Sequence, residues 1–172
     1  MSDEFKTELL ALLPRLRRYA LARTGSIHSA DDLLQATCER AWKCRDQLMP
    51  GTRMDSWMFK IMTNLHIDEI RAVSTRGIDA GPDALEQVPD NRWQRRIEGK
   101  LVLGEVAQVM LQLPEGMRDV LALVSIEGLS YREAAAVLDV PMGTVMSRLS
   151  RARTELTNRL KLNQTMMDWA AE

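Results

Sequence analysis

From Phe5 onward the apolar residues Phe5, Leu9, Leu12, Leu16 and Tyr19 recur at spacings of four, three, four and three. That is the period of one stripe on an amphipathic helix, and Gly25 supplies its stop. A second helix is expected to open at Ser29, whose hydroxyl can cap the first turn while Asp31 and Asp32 sit near the positive dipole end, and to run to about Arg45. Met49-Pro50-Gly51-Thr52 breaks the chain. A third helix resumes near Arg53 and continues to about Thr75, with Trp57, Ile61, Leu65 and Ile70 turned toward neighbours.

Between Gly77 and Asn91 the pattern lapses. Gly77, Gly81, Pro82 and Pro89 interrupt any helix, and the charges there (Asp79, Asp83, Glu86, Asp90) are all acidic, which reads as a linker. Extended, such a segment reaches at most about 50 Å, enough to hold two units apart. Helical periodicity then returns with Ile97, Leu101, Val106, Val109 and Leu113 on one side. Pro114 punctuates, and Val120, Leu121 and Val124 mark a short helix ending at Gly128.

The sharpest local signal follows. Ser130-Tyr131-Arg132-Glu133 has the form of a capping box, in which the serine hydroxyl and the glutamate carboxylate each satisfy a backbone N–H of the first turn. Ala134, Ala135, Val137 and Leu138 then point inward, Asp139-Val140-Pro141-Met142-Gly143 makes a tight turn, and a longer helix from Thr144 keeps Val145, Leu149, Ala152, Leu156 and Leu160 on one stripe. Two such helices form a helix-turn-helix. No apolar and polar alternation argues for a sheet and no repeat is present, so the fold class is all-α, two small helical domains joined by a flexible linker. The expected partition is a first domain over 1–76, a linker over 77–91, a second domain over 92–163 and a tail over 164–172.

With 172 residues, 45% of them hydrophobic and 27% charged, the chain has the make-up of a soluble globular protein. No apolar run approaches the roughly 20 residues a bilayer demands. The acidic opening Met1-Ser2-Asp3-Glu4 lacks the basic start and apolar core of a signal peptide. A cytoplasmic protein without membrane insertion is expected. The net charge of −1 is low for a partner of nucleic acid, where phosphate neutralisation needs gathered cations, yet across Thr144 to Leu162 the cations Arg148, Arg151, Arg153, Arg159 and Lys161 face one acid, Glu155, a local surplus of about +4.

Turning the apolar stripe of the last helix inward leaves Thr144, Ser147, Arg148 and Arg151 on the opposite surface, suited to phosphate and base-edge contacts. On the third helix Trp57, Phe59 and Lys60, with Asn64, Asp68 and Arg71 further along, offer aromatic faces, an amide and cations of the kind that capture unstacked bases. A helical tryptophan is ordinarily a core residue, so packing and base stacking both stand for Trp57. Cys38 and Cys44 lie six apart on one helix and project from different faces, outside disulfide geometry. A metal would need a distant histidine such as His66, and two ordinary half-buried thiols are the simpler account. Asp31 and Asp32 have no metal partner at a useful spacing, no Ser or Cys has an adjacent histidine, and no glycine-rich phosphate loop follows a strand. Neither an enzyme nor a cofactor is expected.

Two stretches in series resemble one family. Asp31-Asp32-Leu33-Leu34-Gln35 with Trp42, then Trp57-Met58-Phe59-Lys60-Ile61 and Asn64, is similar to region two of the extracytoplasmic-function (ECF) sigma factors of the sigma-70 class. Leu113-Pro114-Glu115, Gly128-Leu129-Ser130-Tyr131-Arg132-Glu133-Ala134-Ala135, Pro141-Met142-Gly143-Thr144-Val145 and Ser147-Arg148 resemble region four. The resemblance covers roughly residues 5 to 162 and implies promoter-specific transcription initiation with core RNA polymerase. Asp31, Asp32, Leu33, Gln35 and Trp42 would meet the polymerase clamp. The loop to Arg53 and the third helix, through Arg53, Trp57, Lys60, Asn64, Asp68 and Arg71, would meet the minus-ten element of promoter DNA. Thr144, Met146, Ser147, Arg148, Ser150 and Arg151 would meet the minus-thirty-five element, while the second domain touches the polymerase flap.

An anti-sigma factor partner is likewise implied. Met146 stands where many relatives carry a base and Ala36 where an acid commonly follows the glutamine. The opening Phe5-Lys6-Thr7-Glu8-Leu9-Leu10 with Pro14 is similar to alphaproteobacterial stress-response members. Two rival readings are a sigma mimic that binds an anti-sigma factor without engaging DNA, and a plain helix-turn-helix regulator.

Overall fold

The computed structural model describes residues 2–75 and 101–170, with side chains over 3–72 and 106–162. The expected linker over 77–91 and Ile97 lie outside the described residues. Those described form seven α-helices and no strand. They are α1 (Ser2–Thr24), α2 (Ile27–Lys43), α3 (Met54–Thr75), α4 (Leu101–Leu111), α5 (Glu115–Leu121), α6 (Tyr131–Leu138) and α7 (Met142–Ala170).

In α1 the predicted stripe is the buried one: Leu16 and Tyr19 are fully enclosed, Leu9 nearly so, and Phe5 and Leu12 pack at the margin. Gly25 ends the helix at φ +70°, a left-handed conformation that favours glycine, with its N–H on the Leu21 carbonyl at 2.9 Å. No loop intervenes before α2. The cap is therefore Ser26 and not Ser29: Ser26 is extended, and its hydroxyl accepts the Ser29 N–H. Helix α2 buries Ala30, Leu33, Thr37 and Ala41, a helical row facing α1 and α3.

Helix α3 is rotated from the expected orientation. Met58, Phe59 and Met62 are fully enclosed, Trp57, Ile61 and Leu65 flank them, and Ile70 is 45% exposed. The reason is that α3 is covered on two sides, by α1 and α2 and also by α6 of the second unit, so its most buried line runs between the two. Phe59 meets Tyr19 edge to face at 5.2 Å, and Phe5 does the same to Trp42 and Trp57. Burial of each large side chain contributes about 1.5–3 kcal/mol.

In the second unit Met110 and Leu113 pack with Val120, Leu121, Ala122 and Leu123, and Val109 is buried as well. After α5 the chain widens into one π-helical turn over Ala122–Ile126 and leaves it through Glu127 and Gly128, the latter at φ +75°. The capping box of α6 is complete: the Glu133 N–H donates to the Ser130 hydroxyl, and the Glu133 carboxylate accepts the Ser130 N–H at 2.7 Å. Helix α6 closes at Asp139, left-handed at φ 55°, so the turn's special backbone belongs to Asp139 and not to Gly143. The Pro141 carbonyl accepts from Thr144 and Val145, which starts α7 at Met142, earlier than expected. Val145, Leu149 and Ala152 of its stripe are buried. The stretch set apart as a tail continues α7 as far as Ala170.

Gly143 thus lies in ordinary helical conformation with open space where a side chain would stand. Gly143→Ala should stabilise the fold by about 0.5–1 kcal/mol, read as a higher urea midpoint at unchanged m-value. A loss of stability would return the turn to Gly143.

Candidate nucleic-acid and polymerase interface

Three surfaces carry the predicted site residues. On α2, Asp31, Asp32 and Gln35 are exposed along one face. Asp31 receives a two-pronged bond from Arg17 of α1 at 2.7 and 3.0 Å, and this hydrogen bonding holds its carboxyl below the usual range. Gln35 donates to Glu39. Leu33, expected on this face, is only 4% exposed, because it falls between Ala30 and Thr37 on the buried row. Trp42 is 40% exposed, with Arg45 over its ring at 5.4 Å.

Arg53 at the threshold of α3, then Trp57, Lys60, Asn64, Asp68 and Arg71, follow one another at three- and four-residue steps, so they share a face. Asn64, Asp68 and Arg71 are exposed, whereas Trp57 is half-buried beside Phe5. Arg53 and Lys60 are engaged by the second unit: Arg53 bonds Glu133 at 2.6 Å and Lys60 donates to the Ala136 carbonyl at 2.7 Å.

On α7, Met146, Ser147, Ser150 and Arg151 are exposed and Thr144 is half-exposed. Arg148 is not on the outward line. It sits three residues after buried Val145 and four before buried Ala152, which puts it at the edge of the apolar stripe. Its guanidinium packs over Gly116, where a Cβ would come within 3.0 Å of it. The outer reading face is therefore carried by Met146, Ser147, Ser150 and Arg151.

The structure also assembles a set of residues that periodicity did not single out. Arg15 reaches Asp55 at 2.9 Å and the Glu127 carboxylate at 3.1 Å, and Arg18 bonds the same Glu127. Arg23, its side chain 1% exposed, reaches Asp119 and Glu115, both at 2.8 Å, and donates to the Tyr19 hydroxyl. Every one of these arginines lies on α1, and Glu127, Asp119 and Glu115 lie in the second unit. The available signal was four arginines on one helix (Arg15, Arg17, Arg18, Arg23) beside a near-neutral total. What was missing was any indication of which carboxylates would meet them.

Burial raises the Asp119 carboxyl from 3.8 to about 6, against the pull of Arg23, Arg118 and Arg148 and with the push of Glu115. For Asp55 burial is outweighed by hydrogen bonds from Arg53 and Arg15, so its carboxyl lies below the usual range. His66, buried near Arg23 and Arg118, is held below its ordinary value. Among the described residues no group of three or more His, Cys, Asp or Glu is arranged to hold a metal ion, and no helix is long and apolar enough to cross a membrane.

Two helical units in series, the second built on a helix-turn-helix with an exposed polar face on its second helix, define a DNA-binding architecture. The family model for sigma-70 region 4 matches residues 103–156, and that for the sigma2 domain of PhyR matches residues 9–63. The ECF RNA polymerase sigma factor EcfG of Rhodopseudomonas palustris is 32% identical over 157 residues, 91% of this chain and 85% of that protein. Among solved structures, the sigma factor RpoE in complex with the anti-sigma factor NepR from Bartonella quintana matches with a TM-score of 0.78 at 30% identity, over 92% of this chain and 97% of that one. CnrH in complex with the cytosolic domain of CnrY matches with a TM-score of 0.69 at 26% identity, over 94% of this chain and 90% of that one. The chain belongs to the ECF RNA polymerase sigma factor family.

Because the folded chain binds a proton at Asp119 more readily than the unfolded one, this group loses stabilising free energy as pH rises from 3.8 to about 6. The unfolding free energy of wild type minus that of Asp119→Asn should fall across that window, with His66 common to both proteins. A difference flat with pH in urea titrations would refute the assignment.

Proposed function

We propose that this chain binds core RNA polymerase and, as part of that assembly, directs transcription from a specific set of promoters in a stress response. The observation that carries the reading is the series of a sigma2-like unit and a region 4 unit within one chain, each with an exposed face of the required chemistry. Residues 1–76 form the clamp-binding and minus-ten unit, 77–91 the linker, 92–163 the minus-thirty-five unit, which also touches the flap, and 164–172 the tail.

In the first unit Asp31, Asp32 and Gln35 offer an acidic and polar patch to polymerase, with Trp42 as an apolar anchor. Leu33 supports that patch from beneath. Arg53, Lys60, Asn64, Asp68 and Arg71 line the minus-ten face, with Trp57 behind them. In the second unit Ser147, Ser150 and Arg151 enter the major groove, Thr144 contacts the backbone near the helix start, and exposed Met146 (49%) presents an apolar tip of the kind that packs on a thymine methyl. Arg148, against Gly116, orients α7 on α5 and reaches phosphate only at the edge of the interface.

The work is binding and positioning, without catalysis by this chain and without a cofactor, in the cytoplasm where polymerase operates. An anti-sigma factor is the expected negative partner, in keeping with the complexes of RpoE with NepR and CnrH with CnrY. A sigma mimic and a plain helix-turn-helix regulator are not favoured, since the matched EcfG relative is itself a sigma factor over most of its length.

Run-off transcription with purified core polymerase on a library of promoter fragments tests the reading. Defined start sites should appear only when the chain is added. Arg151→Ala should lower them about tenfold or more, since a good base contact is worth about 1–3 kcal/mol, while co-sedimentation with core polymerase stays unchanged. Failure of the wild-type chain to bind core polymerase would remove the proposal.

A further inference from the structure

Gly116 stands in the first turn of α5, a helical position where glycine is less favourable than alanine because it gives up more backbone freedom on folding. The backbone there does not call for glycine: left-handed φ values fall at Gly25, Gly51 and Gly128, not at Gly116. What the missing side chain supplies is room. A Cβ at 116 would meet Arg148 Nη1 at 3.0 Å, Cζ at 3.1 Å and Nε at 3.4 Å, so the flat of the guanidinium, and not its tip alone, rests on this residue. Arg148 is half-buried, with Asp119 of α5 near enough to feel its charge. Among the described residues it makes no hydrogen bond or ion pair, which leaves its five N–H donors uncommitted.

At about 100° per residue, Arg148 lies about 60° round α7 from Arg151 and about 40° from Thr144. A side chain as long as arginine spans that arc. We propose that Gly116 sets the DNA affinity of the second unit: by giving Arg148 a seat on α5 it keeps this cation at the edge of the interface, short of a full phosphate contact. The proposal rests on the reading of α7 as a DNA face. Gly116 touches no DNA and is a positioning residue acting through Arg148. Phosphate contacts carry no sequence information and dominate binding to bulk DNA. Withholding one leaves recognition to Met146, Ser147, Ser150 and Arg151, and makes engagement of the minus-thirty-five element depend on contacts shared with polymerase. A methyl group at 116 meets only the far end of a flexible side chain. With α5 behind it, the guanidinium yields toward solvent, the side from which DNA approaches.

The test uses the full chain, Gly116→Ala, Arg148→Ala and the double variant, each checked by thermal melting. Anisotropy of a fluorescein-labelled mixed-sequence duplex of about 30 base pairs is followed between about 50 and 200 mM salt, the range over which phosphate contacts are counted. In Gly116→Ala the plot of log affinity against log salt should steepen by about 0.9, the signature of one more phosphate, with binding up to roughly eightfold tighter at about 0.1 M salt. Arg148→Ala should flatten the wild-type slope by less than about half that amount, and the double variant should match it. The gain should be the same on promoter fragments recovered by run-off transcription as on mixed sequence, since phosphates are alike in both.

An unchanged slope or absent binding in Gly116→Ala would overturn the proposal, as would steepening that persists in the double variant or a gain confined to promoter sequence. A full-unit loss of slope in Arg148→Ala would show Arg148 already on phosphate; that variant adds no bulk and decides the point even if Gly116→Ala does not fold. If wild type gives no start sites with core polymerase, the sigma-factor reading falls, while the slopes on mixed-sequence duplex still decide the role of Gly116.

Discussion

A buried charge must be met by an opposite one, and in this protein that requirement joins the two halves of the chain. Arg23 and Asp119 are both almost wholly enclosed, and the side chain of Glu127 is 1% exposed while taking Arg15 and Arg18 together. Leaving any of these groups buried without its partner would cost several kcal/mol. The contact between the halves therefore forms and dissolves as a set: parting α1 from the second unit returns all of these charges to water at once, where each is well solvated.

Within each half the forces are different. Met58, Phe59, Met62, Leu16 and Tyr19 in the first, and Val120, Leu123, Val137, Val145 and Leu149 in the second, are shut away from solvent almost completely. Such burial scales with area and has no aqueous substitute. The two sets belong to one continuous apolar cluster, so the join between the units combines apolar packing, including Leu111 against Gly25, with the ion pairs made by α1.

The second unit shows how narrow the margin is between a reading residue and a structural one. On α7, Ser147 and Arg151 face outward and Arg148 lies between them in sequence, yet the helical turn carries Arg148 to the flank of the buried stripe and over Gly116. A single glycine on α5 makes room for a guanidinium that would otherwise point into solvent. Basic residues on a recognition helix are thus of two kinds, and their position relative to the apolar stripe separates them.

What the sequence alone determined was local. The stripe of α1, the stop at Gly25, the capping box at Ser130 and the row Val145, Leu149 and Ala152 depend on neighbours within a turn or two, where periodicity and capping chemistry act directly. The cap of α2 at Ser26 and the start of α7 at Met142 lie within three residues of where periodicity put them, because capping bonds and not the apolar stripe fix a helix's first residue. The tertiary structure decided everything that needed a distant partner: the rotation of α3 between two neighbours, the burial of Leu33, the flank position of Arg148, and the pairing of Arg15, Arg23 and Arg53 with Glu127, Asp119 and Glu133. A charge in a sequence states what it can bind, but its partner lies as many as 112 residues away, and only packing brings the two within reach.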